Sequence, residues 1–422
     1  MGKSVVIIGG GVAGLCTAYY CALRGFAVTI IERKSAQRDG CSFGNAGMVV
    51  PSHFTPLAAP GAVALALKWM GNPASPFYIQ PRFDAELFGW GLKFWRAANA
   101  QHVRRAGPVL RDLAFASRAE FETLSPAPDH DFGLVTKGLL MLCQEQHTLD
   151  EESKIVEQAR ALGIPAETLD AKQTAALDPG ARLNIAGAVY FPKDCHLSPG
   201  RFMAWMQQRL EQNPGVKFIW DSEVLNLKIG KDRRLSAVQI SGGQEIEADE
   251  FVLCGGSWSP ELARQVGLKI PIQAGKGYSL TLAKPRQLPE ICSILTEARV
   301  AVTPMDGALR VGGTMEMVGL NEDINPVRVR GIVESFCKYF PEFSPEDFAG
   351  VQPWRGLRPC SPDGLPYVGR TAKFSNFSTV TGHAMMGITL GPVTGKLMAG
   401  ILAGEKPAID ITLLSPDRYH SF

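Results

Sequence analysis

The spacing of apolar residues changes period several times along the chain. Residues 5–8 form a continuous β-branched run, a glycine cluster follows, residues 15–23 have helical spacing, and after Gly25 a second apolar run covers 27–31. This pattern predicts one strand–helix–strand unit. Residues 84–125 read as helical, with Phe88, Trp90, Leu92, Phe94 and Trp95 crowded around a turn, as do 151–162, 199–212 and 327–340. Strands are predicted at 134–142, 188–191, 300–302 and 309–311. From 216 to 253 short alternating strands with turns at Gly230-Lys231 and Gly242-Gly243 predict a β-meander. A strand at 377–380, a glycine-rich turn and a long helix at 391–402, closed by Gly404, end the pattern. Nucleotide-type features thus occur at both ends with sheet-rich material between them, which predicts a domain assembled from distant segments.

Composition narrows the function. The chain has 422 residues, 45% of them hydrophobic, and a formal net charge of +2 without an extended basic cluster, which argues against a nucleic-acid partner. Its nine cysteines are scattered and never spaced C-x-x-C, so neither a metal site nor a disulfide framework is expected. A strand-like segment from Ser4 leaves no room for a signal peptide, and the apolar run 58–67 is broken by Pro60. A cytoplasmic protein, soluble or peripherally bound, is expected.

Gly9, Gly11 and Gly14 fall between the first strand and the first helix, where a G-x-G-x-x-G spacing gives a tight turn, a close phosphate approach and close helix packing. The helix N-terminus offers free N–H groups to a pyrophosphate, and Glu32 ends the second strand, placed for a ribose. No second motif of this spacing exists, so one dinucleotide, NAD or FAD, is the sole cofactor. A further oddity is that residues 40–67 contain no charged side chain, although 20% of the chain is charged.

Several distant segments together resemble the FAD-dependent D-amino-acid oxidase/dehydrogenase family over essentially the full length. They are VVIIGGGVAGLCTAYYCALRGFAVTIIER (5–33), CSFGNAGMVVPSHFTPLAAPG (41–61), GKGYSLTL (275–282), RGLRPCSPDGLPYVGRT (355–371) and TGHAMMGITLGPVTGKLMAGIL (381–402). Within that family the chain resembles bacterial D-amino-acid dehydrogenases, including those acting on cis-4-hydroxy-D-proline. The resemblance implies an α/β (α+β overall) fold with a glutathione-reductase-type FAD-binding Rossmann domain (1–52, 196–275 and 345–422) and a mixed-sheet substrate domain (53–195 and 276–344), both discontinuous.

It further implies non-covalent FAD held by the Gly9, Gly11, Val12, Ala13 and Gly14 turn, by Glu32 and Arg33, and by Gly255. Cys41 and Ser42 fall near the pyrophosphate, Cys41 replacing the commoner Thr. Asn45, Ala46, Gly47 and Met48 run along the isoalloxazine, the backbone of Val224 contacts the adenine, and Gly387, Ile388 and Thr389 face the flavin O2. The uncharged stretch thereby becomes the floor of the active site. Arg358 is the carboxylate-binding candidate, with Arg355 as its rival; Tyr278, His383 and His53 are the other substrate-side candidates. The implied reaction is hydride transfer from the Cα–H of a D-amino acid to flavin N5, with electrons passing to a quinone or another acceptor. The aromatic region 69–95 is a candidate membrane contact, and homo- or hetero-oligomers remain open. A glycine- or sarcosine-type oxidase using O2 and a non-catalytic FAD-binding subunit are the alternatives.

Overall fold

The computed structural model describes residues 2–70, 72, 75–125 and 132–419. A six-stranded sheet has the order Tyr367–Arg370, Phe377–Thr381, Glu250–Leu253, Ser4–Ile8, Ala27–Ile31, Val216–Ile219, parallel except for the first pair. Its inner strands are largely buried because helices cover the sheet. Helix Val12–Leu23 crosses from the first strand to the second and packs on the last helix, Gly387–Ala403. Glycines allow that approach: a Cβ at Gly391 would lie 2.8 Å from Val12, and one at Gly395 2.6 Å from the Cys16 backbone.

The second layer is a nine-stranded mixed sheet. Along it run Trp354–Cys360, Gln273–Leu282, Ala308–Met317, Val300–Met305, Cys292–Leu295, Leu139–Cys143, Gly187–Phe191 and Glu167–Asp170, with Phe77–Ile79 beside Ala308–Met317. Helix Pro326–Tyr339 covers one face through Ile332, Val333 and Phe336. A two-stranded ribbon, Met48–Val49 with Cys195–His196, fastens the uncharged stretch to the middle of the chain.

Some boundaries differ from the sequence expectation. Val216–Ile219 and Glu250–Leu253 join the parallel sheet, and the meander keeps only Val224–Ile229, Leu235–Ile240 and Glu245–Glu247. Turn glycines mark a change of direction without saying which sheet the flanking strands enter. Trp354–Cys360, placed by the expected boundaries with the nucleotide-binding segments, is the edge of the second sheet and pairs with Gln273–Leu282. Residues 384–403 are long and apolar enough to cross a membrane, yet they are mostly buried against the first helix and helix Ala100–Leu124.

Candidate active site

The glycine turn is shaped by contacts that exclude side chains. Gly9 has φ +111°, and a Cβ there would lie 2.6 Å from the Cys254 carbonyl oxygen, while one at Gly14 would overlap the Gly9 carbonyl. Neither helix Val12–Leu23 nor helix Gly387–Ala403 has an acidic residue in its first turn, so the positive ends of both remain uncompensated. The Glu32 carboxylate accepts the N–H of Gly10 at 2.7 Å and that of Lys34 at 3.0 Å, which fixes it at the strand end. Ser42 Oγ accepts the Val12 N–H at 3.1 Å. Arg38, buried, donates to the Gly10 carbonyl through Nε (2.9 Å) and Nη2 (2.7 Å), and to Gln207 (2.7 Å).

The segment after the turn is held carbonyl by carbonyl. Arg310 Nη1 donates to the carbonyls of Phe43 (3.1 Å) and Asn45 (2.8 Å), and Ser279 Oγ to that of Gly44 (3.2 Å). Thr389 Oγ1 donates to the Met48 carbonyl at 2.9 Å, and the Asn45 side chain accepts the Gly47 N–H at 2.8 Å. Gly47 takes φ +76° beside the Leu197 carbonyl. The Trp354 ring rests on both Gly44 and Gly356 and donates from Nε1 to the Asp39 carbonyl at 3.0 Å.

On the second sheet, strand alternation separates two groups of side chains. Gly275, Gly277 and Ser279 share a face with Trp354, Gly356 and Arg358, opposite them in register, and Ser279 places that face against the Gly44 loop. Arg358 is half-buried and its guanidinium lies where a Cβ of Gly277 would be. Its Nη1 donates to the Thr314 carbonyl at 2.6 Å, which a left-handed Thr314 (φ +66°) turns toward it, and among the described residues no carboxylate is within ion-pair distance. Burial holds its pKa below the ordinary arginine range, with the Cys41 and Cys360 thiols nearby. Arg355, by contrast, is already paired with Asp39 (2.9 Å) and Glu322 (3.7 Å).

Lys276 and Tyr278 point the other way. Tyr278 is 1% exposed, donates to Glu316 at 2.5 Å and accepts the Asn325 N–H at 3.1 Å, in a buried group with Lys276 and Arg328. Its hydroxyl is therefore committed away from Arg358. His383 is buried and its Nε2 lies 3.2 Å from Thr394 Oγ1; burial holds its pKa down to about 4. His53 Nδ1 lies 3.0 Å from Ser52 Oγ, which donates to the buried Asp194. Burial and the Arg299 charge hold His53 down to about 4, whereas burial pushes Asp194 up to about 7.

A cavity of about 360 Å³ runs between these groups, a size in the usual range for small-molecule sites. Gly9, Gly11, Val12, Ala13, Glu32 and Arg33 line it with Val224 and Gly255, as do Cys41, Ser42 and Asn45 and, from the C-terminal part, His383, Gly387 and Ile388. Gly14, Ala46, Gly47, Met48 and Thr389 stand outside this lining, and Arg358 is outside it between the lining residues Leu357 and Pro359. Tyr278 and His53 are not among the lining residues. Sequence reasoning missed Arg38, Arg310, Trp354 and Trp258, whose ring carries the Arg33 guanidinium 3.5 Å from its centroid. A charged residue among small apolar ones was the only available signal for Arg310, and Arg38, among charged and polar neighbours, carried none.

These residues fit a dinucleotide: a cradle closed to side chains, two uncompensated helix N-termini and an oriented carboxylate at the end of the second strand. Comparison with known proteins gives the same cofactor. The model of the family described as FAD dependent oxidoreductase matches residues 4–401. A D-amino acid dehydrogenase of Agrobacterium fabrum is 33% identical, with 99% of each chain covered, and one of Vibrio atlanticus is 32% identical, with 98% and 99% covered. Among solved structures, glycine oxidase from Geobacillus kaustophilus superposes with a TM-score of 0.78 at 22% identity, covering 99% and 100% of the two chains. L-proline dehydrogenase from P. horikoshii superposes with a TM-score of 0.73 at 16% identity, covering 99% and 98%. With its glycine cradle, its fold and nearly its whole length in agreement, the chain belongs to the FAD-dependent oxidoreductase family typified by the D-amino acid dehydrogenases it matches.

Proposed function

We propose that this protein is an FAD-dependent dehydrogenase of D-amino acids. The observation that carries the substrate class is Arg358, a half-buried guanidinium without a carboxylate partner among the described residues, on the sheet face that meets the Gly44 loop. A cation in that position needs an anion, and a planar fork suits a carboxylate held by two parallel hydrogen bonds. FAD, when bound, supplies the oxidation as acceptor of the substrate's Cα hydride. The chain's own part is placement: Arg358 fixes the carboxylate, neutral His383 adds no competing positive charge, and the Gly44–Met48 segment excludes water from one side. The product is an imino acid, which water converts to a 2-oxo acid and ammonia. The resemblance to hydroxyproline-oxidising relatives supports a cyclic substrate such as cis-4-hydroxy-D-proline, which would leave as a cyclic imine.

The reading extends to a cytoplasmic protein that passes electrons to a quinone-type acceptor at a membrane face, since no second nucleotide motif is present for a nicotinamide. Anaerobic bleaching of the yellow protein by D- and L-amino acids, hydroxyproline isomers and glycine, followed by reoxidation with quinone or air, tests both parts. D-amino acids should bleach it and quinone should restore it; bleaching by glycine alone with fast recovery in air would overturn the assignment. Arg358→Ala should keep FAD and raise the substrate KM at least tenfold.

A further inference from the structure

Three consecutive peptide carbonyls, those of Phe43, Gly44 and Asn45, receive hydrogen bonds from side chains of the second sheet, two from Arg310 and one from Ser279. None of these peptides is cis. In a trans peptide the N–H points opposite to its C=O, so the amides of Gly44, Asn45 and Ala46 face away from that sheet, and Phe43 and Asn45 in the same segment line the cavity. None of the three N–H groups has a protein acceptor among the described residues. Backbone donors left in this way are built for a ligand acceptor. Arg310 is held in place by Thr281 Oγ1 at 3.2 Å and is not paired with any carboxylate among the described residues. Burial lowers its pKa, and the Asp306 charge opposes that.

We infer that Arg310, with Ser279, is a positioning residue that turns the Gly44–Ala46 amides toward the flavin and adds a positive charge behind them, favouring the electron-rich reduced cofactor. The inference rests on FAD as the cofactor. The test is Arg310→Met, Arg310→Lys and Ser279→Ala in the full chain, read by the FAD dissociation constant, by the midpoint potential of the bound flavin, and by kcat against KM. Arg310→Met should weaken FAD binding about tenfold, move the potential to more negative values and lower kcat more than it raises KM. Arg310→Lys should retain most of the potential while losing affinity, because the charge survives and the fork does not. Should Arg310→Met fail to fold, Arg310→Lys and Ser279→Ala carry the test, each with weakened FAD binding.

Variants with lowered thermal stability but wild-type affinity and potential would show that Arg310 merely holds the fold, overturning the inference. A raised KM alone would make it a substrate-binding group instead. Wild-type protein that takes up no FAD would fail the cofactor assignment and this inference together; wild-type and variant proteins that bind FAD identically would fail this inference alone.

Discussion

At position 277 the absence of a methyl group decides where the substrate-side cation lies. A Cβ there would overlap the Arg358 guanidinium, so Gly277→Ala should displace Arg358 and raise the substrate KM about tenfold or more, while FAD content stays at the wild-type level. Steady-state kinetics and flavin absorbance check this; an unchanged KM would mean that Arg358 reaches substrate from another rotamer. Residues of this kind differ in how legible they are. Gly9, Gly11, Gly14 and Glu32 could be read from sequence because their spacing falls within one strand–helix–strand unit. Arg310 and Arg38 could not, since what they hold, the Phe43 and Gly10 carbonyls, lies 267 and 28 residues away. Tyr278 illustrates the limit of a motif: it sits two residues from Lys276 and one from Gly277, and strand parity sends it to the far face with Glu316.

Helix Ala85–Ala97 is amphipathic in an unusual sense, with apolar side chains on both faces. Its inner face packs Trp90 and Phe94 near Met315 and Cys360, and Trp90 Nε1 donates to the Cys360 carbonyl at 2.9 Å, two residues from Arg358. Its outer face leaves Phe88 77% and Trp95 63% exposed, with Leu92 between them at a helical spacing. Helix Ala62–Met70 nearby in sequence has no buried residue. Apolar side chains in this arrangement suit an interfacial helix lying in a bilayer surface. Wild-type protein should therefore sediment with anionic phospholipid vesicles, and the Phe88→Ser/Trp95→Ser double variant should not, with dye-linked turnover retained by both; equal sedimentation of the two would discard the membrane role. The sequence marked this region by its aromatics. Which of them face inward depended on Cys360 and Met315, strands distant in the chain.

For the molecule as a whole, buried ionisable groups set the pH range of the fold. His53, His196 and His383 are each held down to about 4 by burial, and Asp194 is pushed up to about 7. A depressed histidine contributes stability that is present above about 6.5 and lost as pH falls through its folded value. A raised carboxyl works in the opposite direction: its contribution is full below about 4 and lost as pH rises through about 7. Between those limits three groups oppose one, so unfolding takes up a net two protons and stability falls on acidification by roughly 2.7 kcal/mol per pH unit from these four groups. Urea midpoints between pH 4.5 and 6.5 should drop accordingly, and Asp194→Asn should steepen the drop; a flat profile would contradict the burial of these histidines in solution.

The six-stranded sheet draws its central strands from residues 4–31 and its neighbours from 250–253 and 377–381, and the cavity it supports is lined in part by Gly387 and Ile388. During synthesis the glycine cradle emerges first, more than three hundred residues before Gly387 and Ile388. A chain stalled anywhere before the last helix would lack Gly387 and Ile388, and its cavity would be unfinished however complete its first strand, helix and carboxylate had become.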